Sequence, residues 1–186
     1  MIWNDHYRDV PEGAHAFLGA SQYHWLNYDE ERLIAVFKNR QLAQYGTRLH
    51  AFAKECIELG QRLPKSKKTL NRFVNDAIGF KMRPEQPLYF SEFCFGTTDA
   101  ISYKDGFLRI HDLKTGVTPA SMHQLEIYAA LFCLEYSKNP KDLEIELRIY
   151  QNDDVVIGQP EASVIEEVME KIIYFDKVLT RVKGEM

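Results

Sequence analysis

Hydrophobic residues in the first part of the chain recur at the spacing of α-helices. This spacing predicts helices over 27–43, 46–60 and 68–78. We expect Gly46 to introduce the second helix directly after the first, and Gly60 to end it. The first eighty residues are therefore predicted to be mainly helical.

After residue 87 the pattern changes to that of β-strands. Residues 88–102 are rich in Phe, Tyr and Thr, and residues 107–115 alternate between apolar and polar positions. The dipeptide Asp105-Gly106 between them is typical of a two-residue hairpin turn. The pattern predicts a β-hairpin, followed by a helix over 119–136 that has proline in its first turn.

The C-terminal part of the chain mixes both element types. The pattern predicts a strand over 143–151, a turn at Asn152-Asp153, a strand over 155–158 and a helix over 161–182. We therefore expect one α/β (α+β) domain over 1–186. Its three parts would be N-terminal helices in 1–80, the hairpin and its following helix in 88–136, and C-terminal strands and a helix in 142–182.

Composition is that of a globular protein from a reducing compartment. Of the 186 residues, 45% are hydrophobic, which is enough to bury one sizeable core. Cys56, Cys94 and Cys133 form no CxxC pair, so we expect free thiols rather than a disulfide framework. We recognise no secretion signal and no apolar stretch long enough to span a membrane. The expected location is the cytoplasm.

The formal charge of −4 lacks the basic bias of proteins that bind nucleic acids by charge alone. Basic residues are nevertheless concentrated in one segment that contains a single acid, Asp76. They are Arg62, Lys65, Lys67, Lys68, Arg72, Lys81 and Arg83. Two interpretations stay open, a solvated helix face with its loop or a patch that contacts phosphates. The first five are weak candidates for DNA contacts.

The predicted hairpin places two carboxylates opposite each other. If Asp105 and Gly106 are the central turn residues, pairing outward from the turn brings Asp99 opposite Asp112. Directly opposed like charges are destabilising unless a cation cancels them. Lys114 lies two residues beyond Asp112, on the same face of the strand. Two carboxylates and a lysine at one end of a hairpin suit a divalent-metal site for phosphodiester hydrolysis.

A simpler interpretation leaves Asp99 and Asp112 as surface carboxylates of an edge hairpin, with Lys114 as their salt-bridge partner. A change of one residue in the loop would also make the pairing diagonal. The flanks of Asp112 weigh against the simpler interpretation, since Ile110 and Leu113 indicate a largely buried strand. A charged residue is rarely buried unless it is paired or coordinates a metal.

Four segments occur in the order and at the spacing of motifs in a known family. They are YGTRLHAFAKE with His50, GTTDAI with Asp99, HDLKTG with Asp112 and Lys114, and HQLEIYAALF with Gln124 and Tyr128. Together they resemble the motifs of the PD-(D/E)XK nuclease superfamily, in its RecB-like branch. LGASQYHWLNYDEERL, nearer the N-terminus, shares a looser similarity with phage-encoded relatives such as the lambda-type exonucleases. The resemblance implies a restriction-endonuclease-like fold, a mixed central β-sheet flanked by helices.

The resemblance also implies a metal centre. Asp99 and Asp112 would bind Mg²⁺ or Mn²⁺, His50 would be a further ligand, and the carbonyl of Leu113 would add another. Lys114 would orient the attacking water. One metal or two fit this set equally well.

Further roles follow from the same resemblance. Gln124 and Tyr128, one helical turn apart, would position the DNA backbone or brace the site. Glu55 and Glu92 are weaker candidates for a first-helix carboxylate that some relatives use. Certain relatives hold an iron–sulfur cluster through four cysteines; this chain has three, so no cluster is expected. It also has no GxxxxGK[ST] loop, so coupling to ATP would need a partner protein.

The expected function is metal-dependent hydrolysis of DNA, by an exonuclease of phage-type recombination or repair in a bacterial or phage-infected cell. DNA is the expected partner, and a single-strand annealing or binding protein is a candidate second one. The alternatives are a sequence-nonspecific or structure-specific endonuclease, a non-catalytic DNA- or partner-binding module on the same fold, and a metal-dependent hydrolase of nucleotides. The sequence predicts no oligomeric state.

Overall fold

A computed structural model describes residues 16–185, which form two compact units divided in sequence after Tyr45. The described part of the first unit contains a 3₁₀ helix (Ala20–Asn27) and the beginning of helix α1 (Glu30–Glu58). The second unit holds the rest of α1, every strand described below and all the predicted site residues. The prediction of one domain over 1–186 stays a prediction.

A five-stranded mixed sheet is the centre of the second unit. Its strands, in both chain and spatial order, are β1 (Arg83–Ser91), β2 (Cys94–Lys104), β3 (Phe107–Leu113), β4 (Glu144–Gln151) and β5 (Asp154–Gly158). β3 and β4 are parallel, whereas the other neighbouring strands are antiparallel. With the helices that flank it, this sheet confirms the predicted α+β architecture.

Three more helices pack with the sheet, namely α2 (Thr69–Gly79), α3 (His123–Glu135) and α4 (Ala162–Glu185). One buried cluster joins the sheet to α3 and α4, and includes Leu108 and Leu125. A second cluster joins it to α2 and the C-terminal part of α1, and includes Phe73 and Tyr150. Across residues 16–185, no helix combines the length and apolar character needed to cross a membrane.

The predicted helix boundary at Gly46 is wrong, because α1 continues through it without interruption. A Cβ added at Gly46 would lie 2.6 Å from the Thr115 hydroxyl oxygen. The glycine therefore permits close packing of α1 against the segment after β3. Gly60 does end the helix, as predicted: its φ is +66°, and the next residue's N–H donates to the Cys56 carbonyl at 2.8 Å.

Two further boundaries differ from the predictions. The segment 88–102 is not one strand, since β1 begins at Arg83 and the chain turns back before β2 at Cys94. Pro84 and Pro87 lie inside β1. This is an edge strand of the sheet, where proline is tolerated. The helix predicted over 119–136 begins later, at His123.

The predicted hairpin turn is confirmed. Asp105 and Gly106 have φ values of 51° and 84°, as the central residues of a type I′ turn require. Pairing runs from Lys104 opposite Phe107 to Ala100 opposite His111. The next position in that register is Asp99 opposite Asp112.

Candidate functional site

Three adjacent strands bring three carboxylates into one row. The residue pairs on either side of Glu85 in β1 place it opposite Asp99 in β2. The hairpin register places Asp99 opposite Asp112 in β3. The row is therefore Glu85, Asp99 and Asp112, and we call it the carboxylate row.

Glu85 has an unusual backbone conformation for a strand residue. Its φ is +48°, in the left-handed region that residues with a Cβ rarely adopt. Such a conformation costs about 1–3 kcal/mol and persists where the surrounding structure enforces it. The burial of the Glu85 side chain raises its pKa, and the nearby Asp99 carboxylate adds to the effect.

Sequence reasoning missed Glu85 and considered Glu55 and Glu92 instead. Glu55 is exposed on α1, and the Glu92 carboxylate lies 2.5 Å from the ammonium of Lys183 in α4. The local signal that points to Glu85 is a carboxylate in RPEQP, directly before the strand pattern of residues 88–102. Its partner across the sheet, however, comes from long-range pairing that a local pattern does not contain.

His50 joins the row from helix α1. Its Nδ1 lies 3.2 Å from Oδ1 of Asp99. The hydrogen bond to Asp99 raises the pKa of His50, while partial burial opposes that shift. The helix holds His50 in place through Ala53, Cys56 and Ile57, which are buried against the sheet and α2.

The other oxygen of Asp99 is bound by the main chain. Oδ2 accepts a hydrogen bond of 2.7 Å from the N–H of Leu113. The N–H of Leu113 therefore contacts the row through Asp99, and the role of its carbonyl as a ligand stays a prediction. Asp99 bridges α1 and the end of β3, so its orientation is fixed from both sides.

Asp112 is the most deeply buried member of the row, with 3% of its surface exposed. Burial raises the pKa of its carboxyl, and the charge of Asp99 raises it further. Its Oδ1 accepts a hydrogen bond of 3.2 Å from Nζ of Lys114. Oδ2 lies 3.0 Å from the same ammonium, but within residues 16–185 it accepts no hydrogen bond of acceptable geometry.

Lys114 begins a chain of hydrogen bonds that ends on helix α3. Its ammonium donates to Oε1 of Gln124 at 2.6 Å, and Nε2 of Gln124 donates to the Tyr128 hydroxyl at 3.2 Å. The Tyr128 ring fits against β2 because Gly96 has no side chain; a Cβ there would lie 2.9 Å from the ring. The structure thus brings all three predicted residues to the same place as the row.

A cluster of potential ligand side chains shares His50 and Asp99 with the predicted set and adds Glu85. Among the described residues, one group of three side chains has its potential ligand atoms all within 4.8 Å of one another. The group consists of His50, Glu85 and Asp99. Asp112 is engaged by Lys114 instead. Carboxylate oxygens are the ligands that Mg²⁺ and Mn²⁺ prefer, and an unsatisfied buried carboxylate oxygen next to like charges is stabilised by a cation. The residues present therefore fit a divalent metal.

The five weak DNA-contact candidates lie elsewhere, in the loop after α1 and at the start of α2. The Arg62 guanidinium donates to the Asn75 carbonyl at 3.3 Å, and that of Arg72 to the Asp153 carbonyl at 3.4 Å. The three lysines are exposed: Lys65, Lys67 and Lys68. The two arginines thus brace local main chain, and the lysines form a basic loop.

Comparison with known proteins finds no match: no protein-family model, no curated protein and no solved structure matches this chain.

Proposed function

We propose that the protein is a nuclease that hydrolyses phosphodiester bonds in DNA and depends on Mg²⁺ or Mn²⁺. The observation that carries this proposal is the carboxylate row with Lys114 at its end. Glu85, Asp99 and Asp112 are adjacent in the sheet, and Lys114 bonds to the last of them. The order of the motifs, which resembles that of PD-(D/E)XK nucleases, supports a restriction-endonuclease-like form of the fold.

Glu85, Asp99 and His50 would hold the metal, and Asp112 is close enough to respond to the charges of Asp99 and His50. A divalent cation supplies a Lewis acid for the phosphate and lowers the pKa of a bound water. The row itself is anionic and would repel a DNA phosphate without such a cation. In the metal-free row His50 limits that repulsion, because its hydrogen bond to Asp99 favours the charged form of the imidazole; His50 would lose that proton on binding the metal.

Lys114 would act on the attacking water and on the charge that develops at phosphorus. Its ammonium is held between Asp112 and Gln124, so it needs no rearrangement to face the row. Fixed donors of this kind stabilise a transition state more than a ground state. Gln124 and Tyr128 keep the ammonium in position from α3.

The proposed substrate is DNA, with exonuclease action in recombination or repair. A single-strand annealing or binding protein is the proposed partner for that pathway. Two substrates distinguish this proposal from endonuclease action. They are linear DNA labelled at either end and closed circular DNA. An exonuclease releases label from linear DNA and leaves closed circles intact.

The nuclease proposal is tested by incubating purified protein with end-labelled linear DNA and Mg²⁺ or Mn²⁺. We expect degradation that EDTA stops, and Asp112→Asn should lower its rate by roughly a thousandfold. Asp105→Asn is the matched control, because Asp105 is an exposed carboxylate in the turn of the same hairpin. Full activity of Asp112→Asn would show that the carboxylate row is not the active site.

A further inference from the structure

A cavity of about 400 Å³ lies beside β1 and β2 but does not include the carboxylate row. Residues of β1, β2 and the C-terminal end of α3 line it. Its volume falls within the range of small-molecule sites, about 300–1,000 Å³. No residue assigned above to the metal centre contributes to its lining.

Three cations surround this cavity. They are Lys81, Arg83 and Lys138, and the described residues that line it include no carboxylate. Within residues 16–185, none of the three forms a salt bridge; Lys138 instead lies 5.4 Å from the centre of the Tyr103 ring. The charge of the cavity is therefore uncompensated by the described part of the chain, which suits an anionic ligand.

Aromatic rings form the other side of the cavity. The Phe132 ring lies 5.2 Å from that of Tyr103 and 5.0 Å from that of Tyr136. Phe132 is buried, whereas the two tyrosines are 41% and 46% exposed. Each tyrosine ring therefore packs against the buried Phe132 ring, and part of its surface stays exposed to a ligand.

We propose that this cavity binds one unpaired nucleotide of a nucleic-acid strand, its base against the tyrosines and its phosphate among the three cations. This inference rests on the proposed nuclease function and names the substrate class, a strand with an unpaired segment. Bases in a duplex are already stacked on both faces, so only an unpaired base can stack on an aromatic side chain. A simple anion would not contact the aromatic rings favourably, and an apolar ligand would leave the three cations without a partner.

The position of the cavity along β1 and β2 fits a single strand of nucleic acid that reaches the carboxylate row. Arg83 lies two residues before Glu85 in β1, and Tyr103 lies four residues after Asp99 in β2. At about 3.3 Å per residue, these separations are roughly 7 and 13 Å along the strands. These separations between the cavity and the carboxylate row are comparable to the length of a few nucleotides of a bound nucleic-acid strand.

The test measures binding in EDTA, so that no hydrolysis occurs. Its result therefore does not depend on whether the protein is a nuclease. Fluorescence anisotropy follows the full chain with a labelled oligothymidylate of about twenty nucleotides, and with a duplex of equal length. We expect tighter binding of the single strand. Tyr103→Leu and Tyr136→Leu should each weaken single-strand binding about tenfold, because base stacking on an aromatic side chain is lost.

Matched controls are available for both kinds of residue. Tyr174→Leu removes an exposed tyrosine of α4, and Lys104→Gln removes a lysine of β2 next to Tyr103; neither lines the cavity. Both should bind like the unaltered protein. Thermal unfolding of every variant separates lost binding from lost folding.

Salt dependence distinguishes phosphate contact from a structural role. Removing one cation that contacts a phosphate lowers the slope of log affinity against log salt by about 0.7 for single strands. Lys138→Gln should show this change, whereas Tyr103→Leu should weaken binding at an unchanged slope. Unaltered affinity in the folded tyrosine variants, or equal loss in the controls, would overturn the proposal. Equal competition by polyglutamate would overturn the choice of nucleic acid as ligand.

Discussion

Two clusters of charged residues in the sheet-containing unit differ in how completely their charges are compensated. In the balanced cluster, the Glu146 carboxylate accepts hydrogen bonds from Arg109 at 2.6 Å and from Arg148 at 2.8 Å. Both guanidinium groups also lie over the Phe80 ring. The carboxylate row, by contrast, has three carboxylates with one lysine and one histidine beside it, and within the described part of the chain one oxygen of Asp112 accepts no hydrogen bond.

The pKa values follow this difference. Hydrogen bonds from the two arginines outweigh desolvation, and they hold the pKa of Glu146 below its usual value. In the row, burial and neighbouring like charge raise the pKa of Asp112 and of Glu85. A cluster that is satisfied by its own neighbours stabilises the fold, whereas an unsatisfied one is suited to a ligand. We therefore expect the Glu146 cluster to be structural and the carboxylate row to be functional.

The largest expected effect is on catalysis, from Lys114→Met. Loss of one fixed donor to the developing charge should lower the rate of DNA hydrolysis by about a thousandfold, equivalent to about 4 kcal/mol of activation free energy. Lys104→Met, in the same hairpin but exposed and paired with Asp105 in the turn, should retain activity. Initial rates with Mg²⁺ measure both, and equal rates would place Lys114 among the structural charges.

The opposite result is expected in the balanced cluster, from Glu146→Gln. The change leaves two arginines near each other without their shared carboxylate, so the free energy of unfolding should fall by about 3 kcal/mol. The rate per folded molecule should change little. Urea denaturation and the hydrolysis assay together test this, and lost activity with unchanged stability would reverse the assignment of the two clusters.

A metal should stabilise the fold through the row alone. Mn²⁺ at a hundredfold excess over its dissociation constant should add about 2.7 kcal/mol to the free energy of unfolding. Asp99→Asn should abolish that increase, because Asp99 contacts His50 and lies opposite Glu85. Glu146→Gln should preserve it. Thermal unfolding with and without Mn²⁺ measures the increase, and an equal increase in Asp99→Asn would contradict binding at the row.

The smallest predicted effect is a pH dependence from His111, which lies fully buried beside the balanced cluster. Burial and the nearby arginines lower the pKa of His111 to about 2. In the unfolded chain the pKa of His111 is near its ordinary value of 6.5, so below that pH the unfolded chain binds a proton that the folded chain does not. The contribution of neutral, buried His111 to stability is present above pH 6.5 and is lost as the pH falls through 6.5.

His111→Gln should remove this dependence. Between about pH 7.5 and pH 5.5, the unaltered protein should lose about 1.4 kcal/mol more of its free energy of unfolding than the variant does. His123→Gln is the control, since His123 is an exposed residue on α3. Denaturation at the two pH values measures the difference, and parallel curves for His111→Gln and the unaltered protein would contradict it.

Local patterns were sufficient to predict the hairpin and much of the site. The Asp105-Gly106 turn fixes the register, and that register places Asp99 opposite Asp112. Helical spacing correctly put Gln124 and Tyr128 on one side of α3, where Gln124 contacts both Lys114 and Tyr128. These relationships depend on turn geometry and periodicity, which short stretches of sequence contain.

Long-range contacts account for what the patterns missed. Gly46 resembles a helix boundary in the sequence, but its hydrogen side chain is needed for contact with Thr115, many residues away. The prolines around Glu85 resemble the end of a helical region, yet they are tolerated at the edge position that β1 occupies. Pairing of β1 with β2 is what brings Glu85 to Asp99, and no local pattern specifies it.

Glu85 therefore provides the most direct test of the carboxylate row as a catalytic metal centre. The measurement is the rate of Mg²⁺-dependent hydrolysis of end-labelled linear DNA by Glu85→Gln, with Glu55→Gln, an exposed glutamate of α1, as the matched control. We expect Glu85→Gln to be at least about a hundredfold slower than the unaltered protein, and Glu55→Gln to be as fast. Equal rates for both folded variants would contradict the role of the row.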